Sequence, residues 1–152
     1  MTTQPPNHPA TTGYPPIEEI LLLIADLQAK MRIQDWDITF KYADAKRLHQ
    51  ENIPQNAFGA TNRLPRAMRG EVIINSDSDE GERYWYRTLV HELMHYLTLD
   101  LKELAFNMID LIPKECQDTF RELWDEQYEV MNERVSIAYL NAEGKRDDGT
   151  TK

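Results

Sequence analysis

Apolar residues recur at helical spacing in Ile17, Ile20, Leu21, Ile24, Leu27 and Met31, which predicts a helix over 17–31 with Glu18 and Glu19 in its first turn. Trp36 to Tyr42 then alternates apolar and polar side chains, the period of a half-buried strand. Residues 43–52 are polar and read as a short helix or a loop. Ala57 to Leu64 and Glu71 to Asn75 predict two further strands, joined by Pro65-Arg66-Ala67-Met68-Arg69-Gly70. Val72-Ile73-Ile74 is an unbroken apolar run, as in a strand buried on both faces, and Gly59 marks a bulge or a close backbone approach. Ser76 to Glu80 offers N-caps for a helix over about 79–98. Apolar residues 99–112 are compatible with helix up to Pro113, and a last helix is predicted over about 114–140. The elements sum to an α+β domain: an N-terminal helix, a small three-stranded sheet and a helical second half.

The helix over 79–98 has two faces. Tyr86, Val90, Leu93 and Leu97 are spaced to enter a core, while Tyr84, Thr88, His91 and His95 share another side. Within it His91-Glu92-Leu93-Met94-His95 is an H-E-x-x-H motif. Residues four apart on a helix lie one above the other, so the two imidazoles can fill adjacent corners of a tetrahedral Zn²⁺ site. Glu92 stands about 100° round the helix from His91, too far to be a ligand but suited to take a proton from water. This division of labour is that of metal-assisted hydrolysis.

Both ends are polar. Residues 1–16 carry Pro5, Pro6, Pro9, Pro15 and Pro16 and read as a flexible arm, in which His8 is a poor ligand candidate. Residues 141–152 are expected to form a disordered tail, leaving 17–140 as one domain. The net charge of -9 argues against nucleic acid or an anionic membrane as partner. Arg63, Arg66 and Arg69 form the largest basic cluster, expected at a solvated hairpin tip. Cys116 is the only cysteine, which excludes an internal disulfide and suits a reducing compartment. With no secretory pattern at the start, the expected location is the cytoplasm of the host cell.

A catalytic zinc site takes three protein ligands and a water, so a third ligand is needed. After His95 the metzincin pattern fails, because Thr98 stands in place of Gly and Leu101 in place of the ligand; Asp100 is one position early. The other source is the acidic stretch Trp124 to Ser136 on the last helix. Here the chain resembles the gluzincins, where a Glu on a downstream helix completes H-E-x-x-H. Over Trp36 to Leu140 it is similar to their small phage and prophage versions, the minigluzincins, and distantly to the ImmA/IrrE-like peptidases. The resemblance implies a zincin-like fold, Glu129 as third ligand and Glu133, four residues on, supporting a metal-bound His. The residues themselves leave Glu129, Glu133 and Asp100 open, since Phe120, Leu123, Trp124, Val130, Met131 and Val135 form the main apolar face and Glu129 lies nearly opposite. For the oxyanion of peptide hydrolysis, Tyr139, Tyr96, Arg134 and His49 are candidates.

The expected function is a zinc metalloendopeptidase acting on a narrow protein or peptide substrate, with His91, His95 and Glu129 on the metal and Glu92 as general base. The likeness to phage-type peptidases suggests a regulatory target, by analogy alone. The alternative is a non-catalytic interaction domain that keeps zinc for stability.

Overall fold

The structure, a computed structural model, describes residues 13–78 and 81–152. Most of the proline-rich arm, His8 included, and the proposed caps at 79–80 lie outside the described residues. The elements run α1 (Ile17–Met31), β1 (Asp37–Ala43), α2 (Ala45–Gln50), β2 (Gly59–Leu64), β3 (Arg69–Asn75), α3 (Gly81–Leu97), α4 (Leu99–Met108) and α5 (Lys114–Ala142), with short 3-10 turns after β2 and α4. The architecture is α+β, with a small mixed sheet. No helix among the described residues is long and apolar enough to cross a membrane.

Strand β3 lies between the others in the order β1-β3-β2, parallel to β1 and antiparallel to β2. Its central position explains the unbroken apolar run: Val72 and Ile74 enter the main core, while Ile73 packs with Ala43 and Leu48 on the opposite face. Strands β1 and β2 are the two edges, and among the described residues the outer side of β2 has no strand partner.

The main core is filled by α1, the facing residues of the sheet and α3. Ile20, Ile24, Leu27 and Met31 line the buried side of α1, but Leu21 is 41% exposed. Tyr86, Val90 and Leu93 of α3 are buried as their spacing predicts, joined by Leu89, Met94 and Tyr96. Leu97 departs from the pattern: at the last position of α3 it has left the sheet and is 46% exposed.

The folded part begins before α1. Tyr14 is buried, its hydroxyl donates to Asn75 O at 3.1 Å, and Tyr42 donates to Pro15 O at 2.8 Å. The end of the arm is therefore tied to the sheet by groups that a composition argument does not weigh. At the other terminus the segment expected to be disordered is a small hairpin. Lys145 and Thr151 form an antiparallel bridge, Arg146 N–H donates to Thr150 O at 2.8 Å, and Gly149 lies against the rings of Trp85 and Tyr86.

The last helix corrects the sequence reading of its own faces. Its buried stripe is Tyr128, Asn132, Ser136 and Leu140, four residues apart, whereas Leu123, Val130 and Val135 are exposed. Two polar residues are buried in preference to leucine and valine because they have partners on α3 and within α5, as described below.

Two glycines set the distance between α3 and the sheet. A Cβ at Gly70 would overlap the Tyr96 ring, which also packs edge-on against Trp36 with centroids 4.8 Å apart. Gly70→Ala is therefore expected to cost about 1–3 kcal/mol by overpacking, read as a lower urea midpoint. A variant as stable as the parent would contradict this contact.

Candidate metal centre

Tyr84, Thr88, His91 and His95 share one side of α3, as the helical period requires, and all four line one cavity of about 800 Å³. Its opposite wall is the edge strand β2, and α5 closes the third side with Glu129 and Glu133. In that cavity His91, His95 and Glu129 bring three metal-binding atoms within 4.8 Å of one another. Glu129 Oε2 lies 3.4 Å from His91 Nε2 and 3.5 Å from His95 Nε2. Donor atoms around a tetrahedral metal at ~2.1 Å stand roughly 3.4 Å apart, so these spacings suit one ion among the three.

The charge states also suit a divalent cation. Burial pushes the His95 imidazole down to about 4, so it is neutral at pH 7 with a lone pair to give. Its contact with His91 outweighs the upward push of burial and holds Glu129 below the ordinary carboxylate range. Two imidazoles and one carboxylate form a donor set that a zinc-like ion accepts readily.

Each histidine has a partner behind it. His91 Nδ1 lies 3.2 Å from Glu133 Oε2 without making a hydrogen bond. The other oxygen of Glu133 is held by Arg87, whose second amino group is 3.7 Å from Asp147 of the C-terminal hairpin. Behind His95 the fully buried amide of Asn132 lies 2.9 Å from Nδ1, and its other end is 2.9 Å from Thr98 Oγ1. Thr98 has one proton, and Met94 O, at 2.8 Å, accepts it as an intrahelical carbonyl. The same hydroxyl lies within hydrogen-bond distance of Asn132 Oδ1 and, at 2.8 Å, of the Tyr128 hydroxyl. Asn132 Nδ2 faces His95 Nδ1, and the opposite ring nitrogen, Nε2, is directed at Glu129.

Glu92 faces the sheet instead of the other donors. Its Oε2 accepts from Thr61 Oγ1 at 2.6 Å, and burial raises its proton affinity against the opposing pull of that bond. The approach depends on Gly59: a Cβ there would stand 2.6 Å from Thr88 Cγ2 and 3.1 Å from Glu92 Oε1. Of the two roles open to Gly59 in the sequence, the structure has the close approach.

The remaining candidates are dispersed. Asp100 is exposed and borders a different cavity, and Cys116 is exposed. Tyr96 reaches toward Asn62 O, Tyr139 packs against the core, and Arg134 and His49 are exposed; none of the four lines the metal-site cavity. Arg63, expected at a solvated tip, instead sits on β2 and donates to His95 O at 3.1 Å, because the strand extends to Leu64 alongside α3. Sequence reasoning missed Asn132, Thr61 and Arg87. Arg87 was accessible from its place one turn before His91, whereas Thr61 and Asn132 depend on tertiary contact.

Comparison with family models, curated proteins and solved structures finds no match to this chain.

Asn132→Leu keeps the volume but orphans His95 Nδ1 and the hydroxyl pair of Thr98 and Tyr128. The metal-free variant is expected to lose roughly 1–3 kcal/mol for each buried group left unpaired. Urea unfolding measures this, and an unchanged midpoint would remove Asn132 from the site.

Proposed function

We propose that the chain is a zinc-dependent metallopeptidase of the gluzincin type, with His91, His95 and Glu129 as metal ligands and Glu92 as general base. One observation carries the reading. A buried carboxylate of raised proton affinity, Glu92, shares its cavity with a compact group of two imidazoles and a carboxylate. Zn²⁺ held by those three side chains would supply Lewis acidity, easing loss of a proton from water and polarising a substrate carbonyl.

The chain's own residues provide the proton handling. Thr61 occupies Glu92 Oε2, so Oε1, on the Gly59 side, is the oxygen left to accept the water proton and return it to the departing amine. Burial raises the proton affinity of Glu92, which suits a group that must take a proton and later give it back. Glu133 and Asn132 stand behind the two imidazoles at Nδ1, and Nε2 of each is directed at Glu129.

An extended polypeptide is the substrate that the cavity suits. Its wall is a strand edge, and a peptide can add to it through main-chain hydrogen bonds. In the register of β2 with β3, Phe58 O accepts Asn75 N–H at 2.9 Å, so alternation turns the backbone groups of Gly59, Thr61 and Arg63 outward to the free edge.

Two substitutions separate the roles. Glu92→Gln is expected to retain about one zinc per chain by elemental analysis and to lose at least about 10²-fold in peptide turnover. Glu129→Gln is expected to lose zinc as well as turnover. Undiminished turnover in Glu92→Gln would contradict the mechanism. A zinc-loaded parent that cleaves nothing in a broad peptide library would favour the non-catalytic interaction domain.

A further inference from the structure

The cavity continues beyond the histidines toward the start of α3, where its wall changes from polar to aromatic. Tyr84 stands two turns before His91 on the same side of the helix, ~10 Å away along the axis. Opposite it is Phe58, in the bend just before β2, with ring centroids 6.4 Å apart at 56°. That separation is within the range of an aromatic pair, and the two rings together border the cavity. Phe58 is 43% exposed.

This exposure is held in place by the fold. Asn75, itself buried, donates its side-chain amide to Gln55 O at 3.0 Å and Ala57 O at 2.9 Å, and its backbone N–H to Phe58 O. Three hydrogen bonds from one residue thus fix the loop that presents the ring. Opposite, Arg83 and Arg87 lie 5.4 and 6.0 Å from the Tyr84 ring centre and support that side. The result is a preorganised aromatic wall at one end of the strand edge.

We propose that Phe58 and Tyr84 form a subsite for an aromatic side chain of the peptide substrate, on the C-terminal side of the scissile bond. The inference rests on the peptidase reading and adds to it a position and a side-chain class. Strand β2 runs from Phe58 toward Arg63, alongside His95, so a peptide pairing antiparallel to it has its C-terminal part at Phe58. At about 3.3 Å per extended residue, ~10 Å is two or three residues beyond the bond. An aromatic ring entering there would take Phe58 out of water and complete a cluster of three rings.

The test uses the zinc-loaded full chain and peptides with an N-terminal hydroxamate, which anchors the register on the metal. The peptide is all alanine, or alanine with one Phe moved through the first four positions. Calorimetry is expected to show Phe at the second or third position binding at least about tenfold tighter than the all-alanine peptide. The gain, measured against the all-alanine hydroxamate on the same variant, should vanish in Phe58→Ala and Tyr84→Ala and persist in Phe58→Tyr. Equal affinity at every position, or a gain surviving both alanine variants, would overturn the subsite while leaving the metal centre intact. Failure of every hydroxamate to bind would overturn the metal reading and the subsite with it.

Discussion

Helix α3 lies almost on the backbone of the sheet, and the rest of the molecule is arranged around that contact. Side chains at Gly59 and Gly70 would collide with Thr88 and Tyr96, so both strands present bare backbone where the helix crosses. The close seat has two results. Leu89, Val90, Leu93 and Met94 are fully enclosed and give the helix a fixed position in the core. Glu92 is brought within reach of Thr61 on the edge strand, next to the cavity. One helix thus serves as core and as the base of the site, and neither use can shift without the other.

Helix α5 completes the cluster from the opposite side, and polar contacts register it there. Its buried stripe carries Asn132 and Ser136 where leucine would bury more apolar area. The Ser136 hydroxyl donates to Asn132 O at 2.7 Å within the helix, while Asn132 spans to His95 and Thr98. A leucine contact tolerates sliding, but a buried amide with fixed partners does not, since displacement leaves polar groups unpaired. Glu133, Arg87 and Asp147 extend the same tie outward to the C-terminal hairpin. That chain gives a terminal segment a physical connection to the back of His91.

Where one element sufficed, the sequence was readable. The side of α3 bearing Tyr84, Thr88, His91 and His95 follows from the period alone, and these residues do line one cavity. The run Val72-Ile73-Ile74 announced the central strand, since only such a strand has two apolar environments. The faces of α5 were misread because hydrophobicity ranks Leu123, Val130 and Val135 above Asn132 and Ser136. A polar residue earns its burial through partners distant in sequence, and periodicity carries no record of them. Tyr14 and the C-terminal hairpin were missed for a related reason: short segments without a repeat can still be ordered by a few specific contacts. The position of Glu129 beside the histidines was not legible in the apolar pattern, which sets it nearly opposite the main apolar face of its helix.

The central claim is that two imidazoles and one carboxylate hold a single zinc ion. X-ray absorption at the zinc edge of the protein loaded with one equivalent of zinc tests it most directly. The account predicts four nitrogen or oxygen neighbours at about 2.0–2.1 Å, with outer-shell scattering from two imidazole rings. A sulfur neighbour at about 2.3 Å, which here would implicate Cys116, or a shell without imidazole, would contradict it.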